Sequence, residues 1–227
     1  MNPSKVHGYR HLVKRRKECQ LCNELENPSR IADGRYDSDH IGPWTIWEDD
    51  LDASAMVVGQ DWGDVKYFIE HKGLDEPRNP TNRVLTRLLT SIDIFSYPPY
   101  HGNERSGLFF TNAILCLKKG GLQGKVKNEW FRHCGNNFLR PIIELVHPSV
   151  VISLGQKAYE AIQRVFDNYL IPFRKAVAGS EGFPLIENIR LFPVYHCGAR
   201  ILNTHRPFDQ QLTDWQRIGI YLKTVNA

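Results

Sequence analysis

The chain of 227 residues has 41% hydrophobic and 24% charged side chains, enough for one substantial core and too short for more than two domains, so a single domain over 1–227 is expected. No run of about eighteen apolar residues occurs, and the basic start MNPSKVHGYRHLVKRRKEC has no apolar stretch behind it; this argues against a membrane span or a secretory signal and for a cytoplasmic protein. With 29 Lys and Arg against 25 Asp and Glu, the charge of +4 permits a phosphate-rich partner without demanding one.

In chain order, the basic run Lys14-Arg15-Arg16-Lys17 comes first, read either as a track for a nucleic-acid backbone or as a solvated, frayed terminus. Cys19-x-x-Cys22 follows, then a polar stretch over 23–52 expected to form loops or small antiparallel pieces. The first apolar run is AMVVG at 55–59. A helical stripe over 83–94 carries Val84, Leu85, Leu88, Leu89 and Ile92. The second run is LFFTNAIL at 108–115, followed by a glycine-rich stretch with Lys118, Lys119, Lys125 and Lys127. Helical spacing returns over 128–146, a third run (VISLG) ends at Gly155, and a helix is predicted over 156–166. An irregular stretch over 166–187 leads to the last run, LFPVYH at 191–196, and a final helix over 208–225. Continuous rather than alternating apolar runs are expected of strands covered on both faces. Strands alternating with helices therefore predict an α/β protein, a three-layer α/β/α sandwich around a four-stranded parallel sheet.

Ligands of open α/β sheets bind beyond the carboxyl ends of the strands, so the residues there are the candidates for chemistry. They are Gly59-Gln60-Asp61-Trp62-Gly63, Thr111-Asn112, Gly155-Gln156 and Tyr195-His196-Cys197-Gly198. A carboxylate, a carboxamide and an imidazole facing one cavity suit cleavage of a nucleobase from deoxyribose. Asp61 would orient water and support an oxocarbenium-like sugar, and His196 would stabilise the departing base. Asn112 would match the O4 and N3–H edge of uracil and oppose that of cytosine. Each has a plainer reading as well: Asp61 as a turn or helix cap, His196 as a hydrogen-bonded core histidine.

At these residues the chain resembles the uracil-DNA glycosylase superfamily, over about 19–215. Gly59-Gln60-Asp61 resembles the opening of the Gly-Gln-Asp-Pro-Tyr motif of its first branch, whose Asp assists the water. Thr111-Asn112 followed by Ala113-Ile114-Leu115-Cys116 resembles the strand carrying the uracil-reading Asn. His196 takes the place of the histidine opening the His-Pro-Ser motif. The block from Cys134 through FLRPII at 138–143 to VVISLG at 150–155 resembles the thermophile-type, iron-sulfur branch. The resemblance implies the same four-stranded fold and excision of uracil or a related deaminated base from DNA. It places Gly59, Gln60, Trp62 and Asn112 around the base, and makes Arg200, Ile201 and Leu202 a DNA-intercalating loop; ordinary packing is the other reading of the two apolar residues. Three departures stand out. Trp62 replaces the motif's proline, Gly63 replaces the tyrosine that excludes thymine, and Arg78-Asn79-Pro80-Thr81-Asn82 replaces the segment with the base-stacking phenylalanine. Phe68 and Tyr67 are the candidates for that stacking role, each equally suited to a core.

The iron-sulfur branch has a close cysteine pair near the N-terminus, one cysteine just after the Asn strand and one in the next helix. Cys19, Cys22, Cys116 and Cys134 match that arrangement and imply a 4Fe-4S cluster rather than zinc, since a second C-x-x-C is absent. The alternative is four reduced thiols. Lys118 and Lys119, between two of the ligands, would then meet DNA phosphates. Cys197 reads as a small packed residue or a reactive thiol. A monomer is expected. The rival to an enzyme is a noncatalytic nucleic-acid-binding module of the same fold with a structural metal.

Overall fold

The computed structural model describes residues 2–41, 50–76, 78–94, 107–120, 124–168, 171–179 and 181–225. In chain order, the elements among them are α1 (Pro3–Glu18), β1 (Leu25–Glu26), a kinked 3-10 segment (Pro28–Gly34), β2 (Ala55–Gly59), α2 (Val65–Glu70), α3 (Pro80–Thr90), β3 (Leu108–Asn112) and β4 (Leu117–Lys118). After these come α4 (Asn128–Cys134), a π-helical segment (Gly135–Leu139), α5 (Arg140–Val146), β5 (Val150–Leu154), α6 (Gln156–Val165), α7 (Phe173–Ala178), β6 (Phe183–Ile186), β7 (Ile189–Val194), α8 (Ala199–Thr204) and α9 (Phe208–Val225).

The central sheet has the order β3-β2-β5-β7-β6, with the first four strands parallel. They are the four apolar runs of the sequence, and β2, β3 and β5 are buried at every residue. Successive side chains of a strand point to opposite faces. Met56 and Val58 accordingly enter a core with Tyr9, Trp130, Phe131, Ile142 and Ile162 from α1, α4, α5 and α6. Ala55 and Val57 enter a second with Leu85, Leu88, Trp215 and Ile218 from α3 and α9. Helices thus cover both faces, the three layers expected of continuous apolar strands.

Three local features differ from the sequence reading. The sheet has five strands rather than four. The fifth, β6, pairs antiparallel with β7 inside the stretch expected to be irregular; it is short, carries Pro184 and lies at the edge, where proline is tolerated in a sheet. The N-terminal run is not frayed. Asn2 caps α1 by accepting the Ser4 N–H, and Tyr9, Leu12 and Val13 bury one face of the helix. The helix expected over 128–146 widens at Gly135–Leu139, where the Arg140 N–H reaches the Gly135 carbonyl five residues back. Pro141 offers no N–H and would clash with the carbonyl four residues earlier, which favours the wider turn. Of the polar stretch over 23–52, residues 42–49 lie outside the described residues, as do 121–123 of the lysine-rich loop and 169, 170 and 180 of the stretch over 166–187.

Candidate active site

The parallel sheet brings the ends of β2, β3 and β7 to one rim. Gly59 and Asn112 are directly paired, and the ladder continues past the strands through Ala113 N–H to Gly59 O (2.8 Å) and Ile114 N–H to Gln60 O (3.0 Å). Asn112 is buried, with its carboxamide laid against Gly59. A Cβ on Gly59 would stand 2.2 Å from Asn112 Oδ1, so the amide fills the space that a side chain at 59 would need. Thr111, beside it, donates to the Ile41 carbonyl (3.0 Å).

Asp61 lies two residues past β2, with 10% of its side chain exposed. Its Oδ2 accepts from Gln60 Nε2 (2.7 Å) and lies 3.2 Å from Lys118 Nζ. Gly63, at φ 144°, occupies backbone space that L side chains rarely adopt, so the tyrosine of the related motif has no counterpart here.

His196 lies two residues past β7 and is open to solvent, yet protein atoms crowd it enough for burial to pull its pKa below the ordinary value. The negative charge of Asp61 pulls the other way, so the two groups sense each other across the rim. Gly198 N–H donates to His196 Nδ1 at 3.0 Å. Nδ1 is therefore the acceptor, and the neutral ring carries its proton on Nε2. Cys197 is buried and donates to the Thr81 carbonyl at the start of α3 (3.6 Å), while Gln211 of α9 donates to the His196 carbonyl (3.3 Å), fixing the turn from two sides.

The aromatic candidates separate. Phe68 is fully buried against Ile31 and Leu117 and presents no face to a ligand, a correction to the expectation that it stacks on a base. It occupies the inward face of α2, as its place in the helix dictates. Tyr67 rests on His71 (4.1 Å between ring centroids) and donates to Asp75 Oδ1 (2.7 Å); burial, with Asp75 adding to it, holds its pKa above the usual value. Trp62 is half-buried, edge-on to both Tyr67 and Phe68.

The basic residues also sort themselves. Lys118 was expected at phosphates but is buried beside Asp61, because β4 pairs with β1 and turns its side chain inward. Arg16 is 1% exposed and pairs with Asp37 (2.6 Å), and Lys17 pairs with Asp39. Lys119 pairs with Glu26 (2.8 Å) and Lys127 with Glu24, both at the surface. Beyond His196, α8 buries none of its residues: Arg200 is exposed, and Ile201 and Leu202 are half-exposed.

Cys19, Cys22, Cys116 and Cys134 line one cavity of about 160 Å³, together with Arg16 and His133. Asn27 holds the first pair in place by donating to the carbonyls of Arg16 (2.7 Å) and Cys19 (3.1 Å). All are free thiols. Burial, then neighbouring sulfurs, pushes Cys22 up to about 11; burial is also the main cause that takes Cys134 to about 12 and Cys116 well above its ordinary value. His133 Nδ1 lies 3.4 Å from Cys22 Sγ. The thiols surround the cavity without closing on a point: among the described residues, no three His, Cys, Asp or Glu side chains could hold a metal ion between them. Cys197 belongs to the opposite core.

Fold and rim together define an α/β protein with Asp61, Asn112 and His196 at the carboxyl ends of its parallel strands. The family model of the uracil DNA glycosylase superfamily matches residues 47–218, and the chain belongs to that superfamily. The match takes in Asp61, Asn112, His196, Cys116 and Cys134 and leaves Cys19 and Cys22 before it. No curated protein matches the chain. The sequence reading missed the inward role of Lys118 and the capping of His196 by Gly198. The glycine two residues after the histidine was the one available signal.

Proposed function

We propose that this protein is a DNA glycosylase that extrudes uracil or a related deaminated base and hydrolyses its N-glycosidic bond. The observation that carries this reading is the state of His196, a neutral ring with Nδ1 occupied by a backbone N–H and Nε2–H free to donate at the strand-end rim. Such a donor stabilises negative charge on a leaving base oxygen without first losing a proton to it. As the bond from C1′ to the base breaks, the electron pair leaves with the base. Asp61 supports the cationic sugar and directs a water oxygen to C1′, and the water's proton passes through Asp61 Oδ1 towards solvent. Asn112 tests the edge of the extruded base. Trp62, half-buried beside Asp61, supports it. Arg200 contacts the backbone and Ile201 or Leu202 fills the vacated stack, which fits a helix that buries none of its residues.

The four cysteines fit a 4Fe-4S cluster in the chemistry of their donor set: four thiols share one cavity, Cys22, Cys116 and Cys134 are made harder to ionise by burial, and a metal centre would offset that cost. Cys19, Cys22, Cys116 and Cys134 would hold it, and its work would be to fix the N-terminal segment to the body of the protein. Iron and sulfide should be present in about equal amounts in anaerobically purified, brown protein; colourless protein containing zinc would reject the cluster.

The deciding experiment is incubation with oligonucleotides containing uracil, hypoxanthine or mismatched thymine, followed by alkaline strand cleavage. Abasic product from at least one base is expected, lost in D61N and H196A with DNA binding retained. DNA retained without product from any of them would instead indicate the noncatalytic binding module.

A further inference from the structure

Lys118 is the one basic residue of its loop that points inward. Its side chain is 6% exposed, and Nζ lies 3.2 Å from Asp61 Oδ2. Its backbone is held on both sides: Lys118 pairs with Leu25 of β1, bridges to Asp64 and donates its N–H to the Gly63 carbonyl (3.4 Å), tying it to the loop that carries Asp61. A lysine is almost never this buried unless its charge is matched. Here the match is the carboxylate proposed to direct water. Gln60 Nε2 donates to the same oxygen (2.7 Å). Two donors on Oδ2 fix the plane of the carboxylate and leave Oδ1 to receive the water.

We infer that Lys118 is a positioning residue for Asp61, orienting one carboxylate oxygen so that the other meets the attacking water. The inference rests on the glycosylase reading above. It assigns Lys118 no contact with DNA, which separates it from Lys119 and the rest of the basic loop.

The test is a kinetic comparison of the full chain with K118M, K118R, D61N and D61N/K118M on whichever base-containing oligonucleotide the wild type cleaves. K118M should lose about 10²-fold in kcat, the scale of a misplaced reacting group, with KM for DNA unchanged. K118R, which keeps the charge, should recover most of that loss. The double variant should be no slower than D61N, because residues acting as a unit are non-additive. It also lacks the lone buried carboxylate that K118M leaves behind, so the comparison holds if K118M fails to fold. A raised KM with kcat intact would make Lys118 a phosphate contact and overturn the inference. So would a double variant slower than D61N. Wild type inactive on every base would overturn the glycosylase reading and this inference together, whereas active wild type with unimpaired K118M would overturn this inference alone.

Discussion

The sheet rim and the cysteine cavity are both built from residues far apart in sequence, but they are stabilised in opposite ways. At the rim each polar group already has its counterpart: Asp61 has Gln60 and Lys118, His196 has the Gly198 N–H, and Asn112 has the space left by Gly59. In the cavity the four thiols share one space, and Cys22, Cys116 and Cys134 are raised, chiefly by burial. The rim is thus organised before any ligand arrives, which electrostatic catalysis requires, because donors fixed in advance cost no reorganisation during the reaction. The proposed cluster would bring positive charge into the cavity. One region is complete as protein; the other would be completed by the proposed cluster.

The sharpest way to break this comparison is to remove a rim group. H196A and D61N should each lower single-turnover excision by about 10²- to 10⁴-fold, the range for a positioned acid-base or oxyanion group. Near-wild-type rates in either would mean that the rim is not the reaction centre. Next in size is G59V. Its Cβ would fall 2.2 Å from Asn112 Oδ1, so the carboxamide must move, and base discrimination should drop by roughly 10²-fold, read as the ratio of kcat/KM for uracil over cytosine.

Effects at the cavity should appear in composition and stability before activity. C134S should lose bound iron and melt at lower temperature while its DNA affinity at the rim persists. R16M removes the 2.6 Å contact to Asp37, whose side chain is 4% exposed, and leaves it Lys17 at 3.8 Å; it should cost about 1–3 kcal/mol in denaturant unfolding, the penalty for losing one partner of a buried polar group.

A smaller effect separates the regions by pH. The His196 pKa is lowered in the folded protein, so the native state holds fewer protons than the unfolded chain between that lowered value and about 6.5. Its contribution to stability is complete above about pH 6.5 and is lost as pH falls towards the folded value. Excision, which needs the neutral ring, should therefore persist below pH 6.5 and fail on the acid side of the lowered pKa; H196A should lack that stability change. A pH–stability profile unchanged by H196A would remove the histidine from this account.

The four parallel strands were legible because a strand buried on both faces needs no alternation, and AMVVG, LFFTN, VVISL and LFPV are apolar at successive positions. The three rim residues were legible because topology puts strand ends together whatever lies between them. The N-terminal helix was harder to see: Tyr9, Leu12 and Val13 make a narrow stripe among lysines and arginines. Its Arg16 reads as a surface charge until Asp37 is known to face it. Lys118 was hidden for the same reason, since a lysine two positions before a glycine pair looks solvated and its carboxylate partner lies 57 positions earlier, at Asp61. Phe68 shows the converse, an aromatic near the Gly-Gln-Asp motif that is buried in the core.

The short ladder between Leu25–Glu26 and Leu117–Lys118 gives the opening segment a part in the rim's architecture. Residues that precede the family match brace a strand inside it, and that strand carries the ammonium group beside Asp61. A chain trimmed to 47–218 would keep every polar group of the crevice and lose the buttress behind one of them, so the arm counts as foundation rather than ornament.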